Sequence, residues 1–263
     1  MDIAVFVKTN PDLQMVRIKD RAPVLEAVPF KVGDLEKNAL EAALVLRDAA
    51  GGGRIVAIAL NEGDRRIGET LKEVLAMGAD EAVVVADDGL VGADQSGVAL
   101  ALARAAEKSG PFDLLLFGEG SSDGYSGQVP GRVAAVLDLP EIGYARSLAL
   151  ADAGGAVRAE RSMGDVVEVL ESPTPLVVSV VSEINEPRLP SLMNIMKAGK
   201  KPLAELALAD LGLAADEVAP RRAVLSNLAE EQDRRHVVLE GDAAQQAAAL
   251  IDALTRDGVL GRS

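Results

Sequence analysis

Phe112-Asp-Leu-Leu-Leu-Phe117 runs directly into Gly118-Glu-Gly-Ser-Ser-Asp-Gly-Tyr-Ser-Gly-Gln-Val-Pro-Gly131, and that loop into Arg132-Val-Ala-Ala-Val-Leu137. The first piece predicts a buried strand bounded by Gly118. The last belongs to a helix over Gly127–Leu137 that stops before Pro140. The same rhythm recurs upstream. Ile3–Val7 reads as a strand, and Val16–Ile18 with Val24–Val28 as a small hairpin around Lys19-Asp-Arg-Ala-Pro23. Asp34 predicts an N-cap before a helix over Glu36–Ala49, ended by Gly51-Gly-Gly53. Ile55–Leu60 and Ala82–Ala86 are further strands, and Arg65–Met77 (closed by Gly78) and Ala93–Lys108 are further helices. Continuous apolar strands, each followed by a helix, predict an α/β fold: a Rossmann-like parallel sheet wound with helices on both faces. No repeat of 20–50 residues interrupts that pattern.

After Pro140 the rhythm changes. Ala156–Glu160 and Val166–Leu170 flank Ser162-Met-Gly-Asp165 and predict an antiparallel hairpin near the sheet edge. Leu176–Val181 is a last buried strand, and Asn185–Lys197 reads as irregular, with two prolines. The α/β domain is expected over residues 1–201. Residues 202–263 are expected to form an extended arm that wraps a partner, loose from Pro202 to Glu240 and ending in an amphipathic helix over Ala243–Leu254.

Composition narrows the function. Lys+Arg of 27 against Asp+Glu of 41 gives −14, which repels nucleic acid and anionic membrane, and 2% aromatic residues disfavour stacking on single-stranded bases. With no cysteine, the chain carries no disulfide, thiolate nucleophile or Fe–S ligand. The one histidine, His236, lies in a charged stretch with no G-x-S-x-G elbow to partner it, and is expected to be an exposed residue and not a catalyst. The pairs Asp87-Asp88 and Glu230-Glu231 read as solvated surface, so no metal site is expected. The N-terminal apolar run stops at Lys8, too short for a signal peptide, and no stretch approaches the roughly 18 apolar residues that span a bilayer. A cytoplasmic protein without membrane insertion is the expectation.

In an open parallel sheet, ligands settle beyond the carboxyl ends of the strands, where the winding reverses. The loops to inspect are therefore residues 8–12, 61–64, 87–92 and 118–131. In the last, Gly118, Gly120, Gly124 and Gly127 permit tight turns and close backbone approach. Ser121, Ser122 and Ser126 supply hydroxyls, and the following helix offers free N–H groups to a phosphate. A plain Gly/Ser turn is the alternative. No Gly-Lys-Ser/Thr follows, and the first strand is followed by Lys8-Thr-Asn-Pro-Asp12, without the glycines of a dinucleotide fingerprint. A nucleotide would thus be held, with help from Lys8, and not cut. Leu189, Leu192, Met193, Ile195 and Met196 form an apolar set that is either a buried loop or a docking patch. Lys197, Lys200 and Lys201 beside it are a solvated end or a means of steering acidic partners.

Asn185-Glu-Pro-Arg188 followed by Ser191-Leu-Met-Asn-Ile-Met-Lys-Ala198 closely resembles the signature segment of electron-transfer flavoprotein β subunits. Val5-Phe-Val-Lys8, Lys37-Asn-Ala-Leu-Glu-Ala42, Ala76-Met-Gly-Ala-Asp80 and the loop Gly118–Gly131 also match, so the resemblance runs from residue 1 to about 202. It implies an adenine-nucleotide α-hydrolase-like domain in a heterodimer whose α subunit carries the redox FAD. It also implies AMP in the β cleft, dehydrogenases as electron donors and a quinone-reducing acceptor. The family's nucleotide contacts carry over onto Phe6, Val7, Lys8, Asp34 within Gly33–Glu36, Leu60, and the loop from Gly118 through Glu119, Asp123, Tyr125 and Gln128 to Val129. The docking loop corresponds to about Val178–Lys200, with Leu192 as the plugging leucine, and Glu168 to a glutamate that orients the flavin domain. The chain departs from the family at Gly33-Asp-Leu-Glu36, where Asn-Pro-Phe/Tyr-Asp is usual, and at Ser162-Met-Gly-Asp165, where the turn is usually acidic-Gly-Gly. It departs again at Gly118-Glu-Gly-Ser-Ser-Asp123, where Glu119 replaces a basic residue. Gly127-Gln-Val-Pro130 looks like the electron-bifurcating members, in which a second FAD replaces AMP and accepts hydride from NADH. That subtype and a stand-alone nucleotide-binding module are the alternatives.

Overall fold

The computed structural model describes residues 1–151, 155–231 and 236–261. The chain opens with β1 (Ile3–Val7), then β2 (Thr9–Pro11), β3 (Arg17–Lys19), β4 (Ala22–Val24) and β5 (Phe30–Val32). Helix α1 (Asp34–Ala49), β6 (Ile55–Leu60), α2 (Ile67–Thr70), α3 (Lys72–Met77) and β7 (Glu81–Val85) follow. Then come α4 (Gln95–Ser109), β8 (Leu114–Gly118), α5 (Val129–Leu137), β9 (Glu141–Leu150), β10 (Ala156–Met163), β11 (Val166–Pro173) and β12 (Leu176–Val180). The remaining elements are α6 (Leu192–Ala198), β13 (Leu203–Leu206), α7 (Ala215–Val218) and α8 (Ala243–Arg256).

Nine strands form one sheet in the order β11-β10-β9-β12-β8-β1-β6-β7-β13. The seven from β9 to β13 in that order pair in parallel, and β10 and β11 add an antiparallel hairpin at one edge. This is the expected α/β Rossmann-like architecture. Two apolar layers cover its faces, because successive side chains of a strand point to opposite sides. Ile3, Val5 and Val7 pack under Leu40, Leu44 and Leu75, whereas Ala4 and Phe6 pack with Leu102 and Val133. No helix among the described residues is long and apolar enough to cross a membrane.

The differences from the sequence expectations have physical causes. The hairpin near the N-terminus is shorter than Val16–Val28, because Asp20 (φ 50°) and Arg21 (φ 66°) make the tight turn themselves. Gly33, and not Asp34, caps α1: a Cβ at residue 33 would collide with Glu36 Oε2. The helix expected over Arg65–Met77 is two short ones that meet at Leu71. The second hairpin extends beyond the expected ends, turning at Gly164 (φ 66°). Residues 191–198, read as irregular, include α6, whose first turn donates from Asn194 N to the Ser191 hydroxyl. His236 is exposed, as expected, while residues 232–235 just before it lie outside the described residues.

The segment from residue 202, read as the start of the arm, begins with β13, which pairs in parallel with β7 and closes the other edge of the sheet. Leu208, Leu211, Leu213 and Val218 are buried on the α4 face. There Gly97 of α4 lies so close to the Val218 carbonyl that a Cβ would overlap it. Beyond Val218 the described residues are almost wholly exposed, and α8 has no buried residue.

Candidate functional site

The order of the strands creates the site. From β1 the chain crosses α1 to β6 and winds on to β7, then returns to place β8 on the other side of β1. The carboxyl ends of β1 and β8 therefore mark the reversal of winding, where connections diverge and leave a crevice. A cleft of about 830 Å³, open solvent included, occupies that point. Its floor is Phe6 of β1 and Phe117 of β8, whose rings stack 4.0 Å apart at 4°. Leu60 at the end of β6, Val98 and Leu102 of α4, and Val129 and Pro130 of α5 complete an apolar slot suited to a flat ring.

The loop from Gly118 to Gln128 forms the polar rim. Gly118, Glu119, Gly120, Ser121, Gly124, Ser126, Gly127 and Gln128 all line the cleft, as do Val7 and Lys8. Two glycines are required by position. At Gly118 a Cβ would come within 2.7 Å of Leu35, and Gly127 has φ 62°. The loop ends at the N-terminus of α5, whose first-turn N–H groups lack intrahelical acceptors. Arg132 of that helix is turned aside, donating 2.9 Å bonds to Ser96 Oγ and Gln128 Oε1.

Charges gather beside that loop. Lys8 Nζ lies 2.9 Å from Glu62 Oε2 and 3.0 Å from Asp123 Oδ2. Burial pulls the ammonium's pKa down, but these two carboxylates outweigh it and hold it above the ordinary lysine value. Glu36, 5% exposed, has its pKa pushed up by burial to about 7, with Lys8 working in the opposite direction. At the rim, Tyr125 Oη donates to Glu119 Oε1 at 2.6 Å, and that hydrogen bond, with burial, pushes the tyrosine up to about 12. Tyr125 holds φ 40°, a left-handed conformation that a bulky residue rarely adopts, and its ring lies against Gly120.

Most of the residues expected at the site therefore converge. Asp34 does not: it is exposed, and Glu36 two residues later faces the cleft instead. Ser122 and Tyr125 point outward, and Asp123 acts through Lys8. Glu62, Gln95, Val98 and Phe117 line the cleft without having been singled out. Glu62 sits in a loop flagged by its place after a strand. Among the described residues no group of three or more His, Asp or Glu could hold a metal ion.

The segment expected to dock partners lies elsewhere and is hydrogen-bonded to α1 at its base. Asn38 Nδ2 of α1 donates to the Asn185 carbonyl at 2.8 Å, and Asn185 Nδ2 donates back to the Asn38 carbonyl at 3.0 Å. Arg188 forms two 2.7 Å bonds to the two oxygens of Glu41. Burial tends to raise the Glu41 pKa, but these bonds hold it below the usual carboxylate range. From that base Leu189, Leu192, Met193, Ile195 and Met196 are all exposed, so the segment is not a buried loop. Lys201, by contrast, is no free charge: it donates to the Leu75 and Ala79 carbonyls at 2.8 and 2.5 Å. Glu168 bonds Arg161 across the β10–β11 hairpin at 2.7 Å, away from the cleft.

A family model described as the electron transfer flavoprotein domain matches residues 24–211. The match covers well over half of the chain, takes in the loop of the cleft and the anchored segment, and runs past residue 202 into the part that packs on the sheet. The chain belongs to the electron transfer flavoprotein family.

Proposed function

We propose that this chain is the β subunit of a heterodimeric electron-transfer flavoprotein, that it holds an adenine nucleotide in the cleft, and that residues 189–196 dock dehydrogenases. The observation that carries this is the joining, through α1, of two features. Glu36 in the first turn of α1 borders a slot with an apolar floor and a glycine–serine rim, while Asn38 and Glu41 of the same helix anchor the exposed apolar segment. The slot fits the nucleotide: a base over Phe6 and Phe117, and a phosphate at the loop and the α5 N-terminus. The redox chemistry belongs to FAD carried by the α subunit, and this chain contributes orientation. Exposed apolar residues of the arm, among them Val224, Leu225, Val238 and Ile251, support a role in covering that subunit, and argue against a stand-alone module.

The test is to purify the chain with its α partner, denature the complex and count what is released. One FAD and one AMP per heterodimer is the expected result. Two FAD without AMP would favour the second reading, an electron-bifurcating subunit whose own FAD accepts hydride from NADH, for which Gly127-Gln-Val-Pro130 is the supporting feature. Release of FAD alone, one per heterodimer, would defeat the nucleotide assignment. Docking has its own test. Leu192 is 76% exposed, so Leu192→Ala should leave stability within about 0.5 kcal/mol of the parent. It should nonetheless raise KM for a partner dehydrogenase about tenfold, as loss of an anchoring side chain does. An unchanged KM would remove the docking role.

A further inference from the structure

Of the ionisable residues that line the cleft, Glu36 alone is buried. The charges around it are already engaged. Lys8, the only cation among the described residues lining the cleft, bridges Glu62 and Asp123, and Glu119 accepts the Tyr125 hydroxyl. On α1 itself Asp34 is exposed, and Lys37 is paired with Glu73 at 2.7 Å. Glu36 therefore has no counter-charge of its own. Burial, and more weakly Asp123, favour its neutral form, whereas the N–H groups of Glu36 and Lys8 and the Lys8 ammonium favour the charged one. Beside this carboxyl lies an amide with nothing to bond. Asn10 of β2 is fully buried, and neither its Nδ2 nor its Oδ1 has a hydrogen-bond partner in the protein. A Gly33 Cβ would overlap Glu36 Oε2 and stand 3.1 Å from Asn10 Nδ2. Those two atoms are thus at most about 5 Å apart, a gap that one water molecule bridges with two hydrogen bonds. An amide both donates and accepts, so it serves a carboxylate and a carboxylic acid alike. The surroundings of Glu36 accommodate either protonation state, and its charge is felt in the cleft.

Resting on the nucleotide reading above, we propose that the cleft takes up its anionic ligand together with a proton, which Glu36 holds, so that affinity is regulated by pH. An anion entering the cleft meets a buried carboxyl group and no spare cation, and a proton from solvent is what removes the repulsion. The sign follows from linkage. In the free chain burial pushes the Glu36 pKa up to about 7, and a bound anion pushes it higher still. Binding is then strongest where Glu36 is protonated in both states and weakens as pH rises through about 7. A further rise of about one unit on binding lowers affinity about fivefold between about pH 6 and pH 8, and takes up about 0.4 proton per ligand at about pH 7.

The experiment is calorimetric titration of the full chain, freed of co-purified nucleotide, with 5′-AMP at about pH 7 in two buffers of different ionisation enthalpy, which counts the protons taken up. The parent should take up about 0.4 proton per nucleotide more than Glu36→Gln, whose amide cannot ionise. The variant should bind 5′-AMP at about pH 8 as tightly as the parent does at about pH 6. Adenosine 5′-monosulfate has a fixed charge over this range. Its proton count in the parent keeps the test decisive should Glu36→Gln not fold, because the ligand itself cannot supply or take the proton. Equal proton counts in parent and variant, or no uptake by the parent with the sulfate, would overturn the proposal and leave the nucleotide reading standing. No binding of 5′-AMP at any pH would defeat the nucleotide reading itself, and the proposal with it.

Discussion

Glu36→Gln should abolish a fall in stability of about 3 kcal/mol that the parent chain, free of nucleotide, undergoes between pH 5 and pH 8. Burial raises the Glu36 pKa from 4.5 to about 7 in the folded chain. The folded state thus holds a proton that the unfolded state releases at lower pH. The contribution is fully present below pH 4.5 and is lost as pH rises to about 7, at about 1.4 kcal/mol per unit. Glutamine keeps the shape and cannot ionise. The local cause is the absence of a Cβ at Gly33, which lets the carboxyl fold back over the start of α1. Urea unfolding of both proteins at pH 5 and pH 8 reads the effect, because the remaining groups titrate alike and cancel in the difference. Parallel pH dependences would show that Glu36 titrates near its ordinary value and that its burial carries no electrostatic cost.

The central strands were legible because each is a short apolar run. Strand β9 was not: only Ile142, Gly143 and Ala145 along Glu141–Leu150 are buried, and they are interrupted by Tyr144, which has φ 61°. Nor was β13, where Leu203-Ala-Glu-Leu206 gives little signal and its place is set by pairing with β7, more than a hundred residues earlier. In the cleft, the loop Gly118–Val129 could be read because glycine and serine state their own conformational and hydrogen-bonding roles. The stacked floor could not, since Phe117 meets Phe6 only once β8 is inserted beside β1. Glu36 was hidden for a different reason. Four residues before Leu40, it sits on the buried stripe of α1, but a carboxyl group gives no apolar signal that the position is buried. The motifs Lys37-Asn-Ala-Leu-Glu-Ala42 and Asn185-Glu-Pro-Arg188 were each recognisable alone, but that they bond to each other is a tertiary fact.

That bonding yields the second large effect. Arg188→Ala should destabilise the chain by about 2 kcal/mol and loosen the proposed docking segment while leaving binding of the proposed nucleotide unchanged. The Glu41 side chain is 9% exposed and both its oxygens face the guanidinium, so removing Arg188 leaves a carboxylate on α1 without its cation. A fully buried pair would cost about 3–5 kcal/mol to break, but the Arg188 side chain is 45% exposed and water recovers part of that. No residue of 185–188 lines the cleft, which separates this effect from nucleotide loss. Hydrogen exchange should quicken across residues 185–198, and KM for a partner dehydrogenase should rise even though Leu192 is intact. The added change Glu41→Gln in the Arg188→Ala background decides the cause. An amide needs no counter-charge, so the double variant should regain about 1 kcal/mol over the single one. If it is no more stable, the single variant's loss comes from trimming the arginine chain and not from an abandoned carboxylate, and the ion pair ceases to be what fixes the proposed docking segment to α1.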